Sequence, residues 1–257
     1  MRTCAAPAAS RIHTTSPSAD TCAIIVAGGT GQRFGDPRGK QFVEVAGLPM
    51  VSWSIMAFDR APSVASIVLV VPDMRMDEME SDVLSMLTLS TPVTLAPAGA
   101  TRQESCLSGL RASDPALALV AIHDGARPLI TIDAIEDACA RLRGDASLAG
   151  AVCGQPAIDT LKLAEDGIVV ATPDRSVYWC VQTPQVFRRG VVLAAHEQAV
   201  REGYVGTDDS SLVEHAGGRV ALVAAQRDNI KVTVPEDLRP VEAILEGRLL
   251  PPSLREV

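Results

Sequence analysis

The stretch CAIIVAGGTGQRFGDPRGKQF, from Cys22 to Phe42, sets Arg33, Arg38 and Lys40 among closely spaced glycines after a short apolar run. Backbone N–H groups turned outward at such a loop, with cations beside them, suit a phosphate ligand. Two familiar phosphate loops do not fit. A P-loop needs four residues between its glycines and a hydroxyl after its lysine. Gly35 and Gly39 enclose only three residues, and Gln41 follows Lys40. A dinucleotide fingerprint starting at Gly29 reaches Phe34 where its third glycine should stand.

Three further segments carry polar groups that could act on the same ligand. AIHDGARPL puts Asp124 at the end of an apolar run, followed by Gly125 and Arg127. A carboxylate there must bind a cation, cap a helix or pair with Arg127, and Mg²⁺ takes one or two carboxylates with phosphate and water as its other ligands. His123 reads as structural, because no nucleophile or orienting carboxylate accompanies it. GATRQES places Gly99, Ala100, Arg102 and Ser105 at a helix start, either as a turn that holds a nucleobase edge or as an ordinary cap. RDNIKVTVPED sets Lys231 in a short extended segment ahead of Pro235. Lys and Arg together number 23, yet the lysines are only Lys40, Lys162 and Lys231. Where arginine fills nearly every cationic position, a lysine marks either composition bias or a place for a compact, mobile charge.

The elements that must position these residues follow from hydrophobic periodicity. Cys22 to Ala27 and ASIVLVVP from Ala65 read as buried parallel strands, and VTLAPAG and ALALVAIHD add two more. Helices are predicted over LPMVSWSIMAFDRAP from Leu48, DMRMDEMESDVLSML from Asp73, RQESCLSGLRA from Arg102 and IDAIEDACARLR from Ile132. Such a β-α-β-α series builds a mainly parallel sheet with helices on both faces, and its ligands bind beyond the carboxyl ends of the strands. The rhythm breaks between Gly154 and Phe187, where alternating pieces flank Glu165-Asp166-Gly167; a projecting β-hairpin is expected there. Helices resume near Arg188 and Asp208, then a strand at RVALVAA and a closing helix at EDLRPVEAILEGR.

Composition narrows the class. At 257 residues with 47% hydrophobic content and no apolar run near membrane length, the chain reads as one large soluble α/β domain. A net charge of −8 argues against nucleic acid or anionic membrane as a partner. Cysteines at 4, 22, 106, 139, 153 and 180 form no C-x-x-C pair, which fits reduced cytoplasmic thiols and no zinc site. Residues 1–20 lack a secretory apolar segment and read as a disordered tail, and 249–257 as a second tail.

Taken in order, AGGTGQRFG, GKQF, AGATRQES, HDGARP, DTLK, TPDRS, QTPQVF, TDDSS and DNIKVTVPEDL resemble the motifs of the 2-C-methyl-D-erythritol 4-phosphate cytidylyltransferases, over residues 21–248. The resemblance implies a Rossmann-like sheet of the nucleotide-diphospho-sugar transferase type and transfer of CMP from CTP to methylerythritol phosphate, with Mg²⁺. It implies that Arg33 and Lys40 stabilise the transition state and that Asp124 holds the metal. Ala27, Gly28, Gly29, Thr30, Gly31, Gly99, Ala100, Arg102, Ser105 and Gly125 would surround CTP. Arg127, Thr160, Arg175, Thr183 and Lys231 would position the acceptor phosphate, Arg175 and Lys231 aligning its attacking oxygen. The hairpin, residues 154–180, would be an arm that embraces a second subunit in a homodimer. Two positions depart from the family: Gly39 stands where proline usually precedes the loop lysine, and Ala100 replaces an acidic or polar residue. The alternatives are the same reaction on another alditol phosphate, such as ribitol 5-phosphate, or a non-catalytic nucleotide binder.

Overall fold

The computed structural model describes residues 19–29, 34 and 38–249. The predicted tails fall outside these residues except for residues 19–20 and Leu249, which completes the last helix. Thr30, Gly31 and Arg33 also lie outside them.

The chain begins with β1 (Thr21–Val26), a hairpin of β2 (Glu44–Val45) and β3 (Leu48–Pro49), α1 (Met50–Asp59) and β4 (Val64–Val71). There follow α2 (Met76–Asp82), β5 (Val93–Pro97), α3 (Arg102–Ala112), β6 (Leu119–Asp124), α4 (Ile132–Arg143) and β7 (Gly150–Pro156). A small hairpin of β8 (Leu163–Glu165) and β9 (Ile168–Ala171) leads to β10 (Trp179–Arg188), α5 (Arg189–Glu202), α6 (Asp209–His215), β11 (Val220–Ala224) and α7 (Leu238–Leu249).

Seven strands form one sheet in the order β11-β7-β10-β6-β1-β4-β5. All neighbours run parallel except at β10, which is antiparallel to both β6 and β7. Strand alternation sends side chains to two cores. Ala23 and Ile25 of β1 pack with α1 and α4, through Ile55, Phe58, Ile135 and Leu142. Cys22 and Ile24 pack on the other face with Cys106 and Leu110 of α3 and Val192 and Ala195 of α5. A third cluster, Val45, Met50, Ala126, Leu129, Val232, Val241 and Leu245, fastens α7 and the segment before it to the rim of the sheet.

One expectation changes. The helix predicted over fifteen residues from Asp73 is only α2, flanked by single 3-10 turns. Met79 and Val83 are buried and Met76, Leu84 and Leu87 pack against the same core, but the backbone leaves helical geometry at Val83 (φ −121°, ψ −63°), which ends α2. The expected hairpin between Gly154 and Phe187 forms. Strands β7 and β10 leave the main sheet paired, with Trp179 opposite Pro156, and β8 and β9 pair beyond them. Among the described residues no helix is long and apolar enough to cross a membrane.

Candidate active site

Parallel register fixes where the chemistry gathers. Val26 of β1 lies opposite Asp124 of β6 and Val70 of β4, so the turns after these strands emerge side by side. The Ala27 N–H donates to the Val70 carbonyl (2.8 Å), and the Gly125 N–H to that of Val26 (2.9 Å). Gly28 passes so close to the turn after β5 that a Cβ there would stand 2.4 Å from Ala98 Cβ. That approach explains a glycine at this position without any appeal to its ligand.

A cleft of about 730 Å³ opens between these turns. Gly28, Gly29, Lys40, Gly99, Ala100, Arg102, Ser105, Asp124 and Lys231 line it, all of them residues expected from sequence. Ala27 and Gly125 border a recess of about 30 Å³ beside it, which Lys40 also reaches. Val26, Pro72, Asp73, Met74, Ala98, Thr101 and Ala126 complete the cleft, none of them a site residue expected from sequence.

Asp124 is the electrostatic centre. Its carboxylate is buried and accepts from Arg102 Nε (3.0 Å) on one oxygen and from Lys231 Nζ (2.7 Å) on the other. Burial by itself would raise its pKa, but the two cations outweigh burial and hold the carboxyl well below the usual range. Of the alternatives open at this residue, no helix cap is formed and the pair with Arg127 is not made. Arg127 instead donates to the Asn229 carbonyl (2.7 Å), and its Nε is buried without a hydrogen-bond partner among the described residues. Burial also presses its pKa down.

Lys231 points into the cleft because its neighbours point away from it. Val232 is fully buried in the third cluster, Ile230 packs against it, and the Val232 N–H bonds the Ala126 carbonyl (2.8 Å). Lys40 Nζ donates to the Val232 carbonyl (2.8 Å), which brings the two lysines to one wall. Lys162 is elsewhere, in the arm, bonded to Thr172 Oγ1 (2.8 Å).

The turn before α3 is largely self-satisfied. Thr101 caps the helix, Ser105 Oγ donates to the Thr101 carbonyl (2.9 Å) and accepts from the Gly99 N–H (3.1 Å), and the Ala100 N–H is taken by Glu104 (2.8 Å). Among the polar groups of this turn, Ser105 Oγ and the Ala100 N–H therefore need a rearrangement before they could bind a base edge.

His123 is structural, as expected. It is fully buried, and both ring nitrogens are engaged: Nδ1 with Thr183 Oγ1 (3.1 Å) and Nε2 with the Arg127 carbonyl (3.3 Å) and Ser54 Oγ (3.3 Å). Burial lowers its pKa to about 3. A carbonyl can only accept, so a neutral ring carries its proton on Nε2 and receives the Thr183 hydroxyl proton on Nδ1. The same Thr183 oxygen accepts the Asp124 N–H (3.0 Å). Thr183, expected at the acceptor, is thus committed beneath the strand end as a support for Asp124.

These features have known counterparts. The sequence profile of the 2-C-methyl-D-erythritol 4-phosphate cytidylyltransferases matches residues 21–247. This chain belongs to that family. It is 39% identical over 230 residues to the enzyme of that name from Geobacter metallireducens, covering 88% of this chain and 98% of the other. The Syntrophotalea carbinolica enzyme is 39% identical over 224 residues, covering 87% and 95%. Among solved structures, the 4-diphosphocytidyl-2C-methyl-D-erythritol synthase of Anaerococcus prevotii superposes with a TM-score of 0.78 at 27% identity, over 90% of this chain and all of that one. The Thermus thermophilus 2-C-methyl-D-erythritol 4-phosphate cytidylyltransferase gives 0.70 at 27% identity, over 87% and 98%.

Measured against the family resemblance, only Lys231 of the five acceptor residues lines the cleft; Arg127 and Thr183 are not in its lining, and two more stand apart on the arm. Thr160 and Arg175 are exposed in the arm, where Arg175 donates to the Ile158 carbonyl of its own chain, and neither lines the cleft. Asp209 was missed altogether, although it holds Arg102 Nη1 at 2.8 Å. Its sequence signal, an acidic pair at a helix start, reads as a cap, and Asp208 is indeed the cap.

Proposed function

We propose that this chain transfers CMP from CTP to 2-C-methyl-D-erythritol 4-phosphate, giving 4-diphosphocytidyl-2-C-methyl-D-erythritol and pyrophosphate. An acceptor phosphate oxygen forms a bond to the α-phosphorus in line, and the bond to the bridging oxygen breaks with its electron pair leaving on pyrophosphate. Little covalent work falls to the protein, so positioning and charge neutralisation carry the rate. The observation that carries this reading is the cleft at the strand ends, where Lys231 pairs with the ionised Asp124 and Lys40, held on the Val232 carbonyl, lines the same wall.

Lys40, with Arg33 by resemblance alone, stabilises the charge that develops on the α-phosphoryl group and pyrophosphate. Gly28, Gly29, Gly99 and Ala100 border the nucleotide. Lys231 exchanges Asp124 for the acceptor phosphate and aligns its oxygen. Arg127, which pairs with no carboxylate among the described residues, is a second cation for that phosphate.

Among the described residues no cluster of three His, Cys, Asp or Glu could hold a metal. Mg²⁺ does not need one, because one carboxylate suffices when phosphate and water supply the other ligands. Asp124 fits that part: it is ionised, at the cleft wall, and one of its two counter-ions is a flexible lysine. Mg²⁺ held there would neutralise triphosphate charge.

The arm supports a homodimer. Ile158, Leu163, Ile168, Val169, Val170 and Val177 are all exposed on it, an apolar surface that a second copy would cover. In that assembly Thr160 and Arg175 serve the partner's cleft. Cytoplasmic operation agrees with the five described cysteines, all free thiols. Pyrophosphate release with CTP and Mg²⁺, measured with methylerythritol phosphate and with ribitol 5-phosphate in turn, tests the assignment. Preferred turnover of ribitol 5-phosphate would overturn it.

A further inference from the structure

Behind the cleft a line of polar and charged groups ends on Asp124, and its inner members, His196 and Asp209, have no part in the reaction as described. His196 Nε2 donates to Asp209 Oδ1 (3.0 Å), Asp209 Oδ2 accepts from Arg102 Nη1 (2.8 Å), and Arg102 Nε reaches Asp124 Oδ1 (3.0 Å). Lys231 closes the line on Asp124 Oδ2 (2.7 Å). His196 and Asp209 are sealed inside, their side chains 0% and 1% exposed, and the His196 Nδ1 has no hydrogen-bond partner among the described residues. Among the described residues Asp209 is therefore the one hydrogen-bond partner of that ring, and the ring secures one oxygen of Asp209 while Arg102 takes the other.

The geometry points to Asp209, steadied by His196, as a positioning residue that locks Arg102 onto Asp124 and leaves Lys231 as the exchangeable counter-ion. This rests on the reading that Asp124 and Lys231 serve CTP and its acceptor. Two cations share the Asp124 carboxylate, and the acceptor phosphate must attract one of them. Arg102, at the start of α3, bridges two carboxylates from two other elements, the start of α6 and the end of β6. Drawing it away would strand Asp209 as an unpaired charge in a sealed site, which is strongly disfavoured. Lys231 has one carboxylate partner, is 39% exposed and sits on an irregular segment, so it exchanges at little cost. Asp209 so decides which cation moves. While Lys231 is engaged by substrate, Asp124 keeps a counter-ion and stays in place.

Removing such a supporting group typically costs about 10- to 100-fold in activity or ligand affinity. Asp209→Asn should lower kcat/KM for CTP by that factor and weaken binding of the non-reactive analogue α,β-methylene CTP in parallel, measured by calorimetry in Mg²⁺. The second readout is a double-mutant cycle with Arg102→Ala. If Asp209 acts through Arg102, then adding Asp209→Asn to Arg102→Ala costs nothing further, and removing the stranded carboxylate restores melting temperature. Multiplying losses, or an Asp209→Asn protein with unchanged binding and kcat/KM, would overturn the proposal. Should Asp209→Asn fail to fold, His196→Ala enters the same cycle, and additive losses there overturn it equally. Wild-type turnover separates the two readings. An enzyme that binds the analogue but does not turn over methylerythritol phosphate would refute the acceptor assignment, while the binding cycle would still decide on Asp209.

Discussion

Gly39 is the position at which restoring the residue usual in the family should do harm. Its backbone lies at φ +101° and ψ 152°, a region open almost solely to glycine. Proline is confined near φ −65°, so Gly39→Pro cannot adopt this shape at all, and Gly39→Ala can do so only under strain. A Cβ would also meet the Gln41 side-chain amide at 2.7 Å. That contact is the lesser effect, because the end of a glutamine side chain can swing aside. The backbone term decides, at about 1–3 kcal/mol, or about 5- to 150-fold in the population of the observed loop. The loop cannot easily re-lay itself around the change. The Phe42 N–H bonds the Gly39 carbonyl (3.2 Å), and Phe42 is buried in the core formed with α1 and α4. The expected result is a fall in kcat/KM for CTP of that size for Gly39→Ala and at least as much for Gly39→Pro. The melting temperature should move little, since the affected turn is local. Wild-type kcat/KM in Gly39→Pro would refute the claim that this backbone shape positions Lys40.

Lys40→Ala should lower kcat by about 10²–10³-fold with a smaller change in CTP affinity, as loss of one preorganised charge at a developing anion does. Unchanged turnover would remove Lys40 from the chemistry. Asp124→Asn should abolish most of the Mg²⁺ dependence, and an unaltered metal titration of rate would count against metal binding there. His123 gives a pH signature. Its folded pKa, about 3, lies below the ordinary 6.5, so only the unfolded chain takes up its proton as pH falls between those values. Stability is complete above about pH 6.5 and declines by about 1.4 kcal/mol per unit below it, or about 2 kcal/mol at pH 5. Urea unfolding at pH 7 and pH 5 checks this, and equal midpoints would contradict it. Among the five described cysteines, Cys180 alone is exposed, whereas burial raises the Cys139 thiol to about 11 and the Cys153 thiol to about 12. Iodoacetamide and peptide mapping should find Cys180 labelled well before the other four, and rapid labelling of Cys106 would show that the α3 packing is wrong.

The fold was legible where local signals and burial agree. Strands β1 and β4 are short apolar runs ended by turn residues, and α3 and α4 begin at the residues their capping threonines foretell. Asp73 onward misled because the apolar positions Met76, Met79, Val83 and Leu87 keep helical spacing across a backbone break at Val83 that no residue type announces. Gly39 stood out as a departure, but a letter does not disclose a dihedral angle, and only the folded loop assigns it a positive φ. Thr183 carried the family's expectation of a substrate contact, whereas its hydroxyl is taken up by His123 and the Asp124 backbone.

The amino-acid sequence by itself determined the alternation of strands and helices, and hence that Asp124 would end a strand while Gly28 and Gly99 would follow strands. Hydrophobic period and turn chemistry act within a few residues, so they are readable along the chain. The partners of Asp124 were decided only by the tertiary structure. Arg102 is 22 residues away from it and Lys231 is 107, while Asp209, equally far from Arg102 at 107, arrives on α6, the second helix after the one antiparallel strand of the main sheet. Which charges meet across such separations depends on strand order and on how α6 packs behind α3 and α5. No local pattern encodes that arrangement, because its energy comes from burying distant groups together.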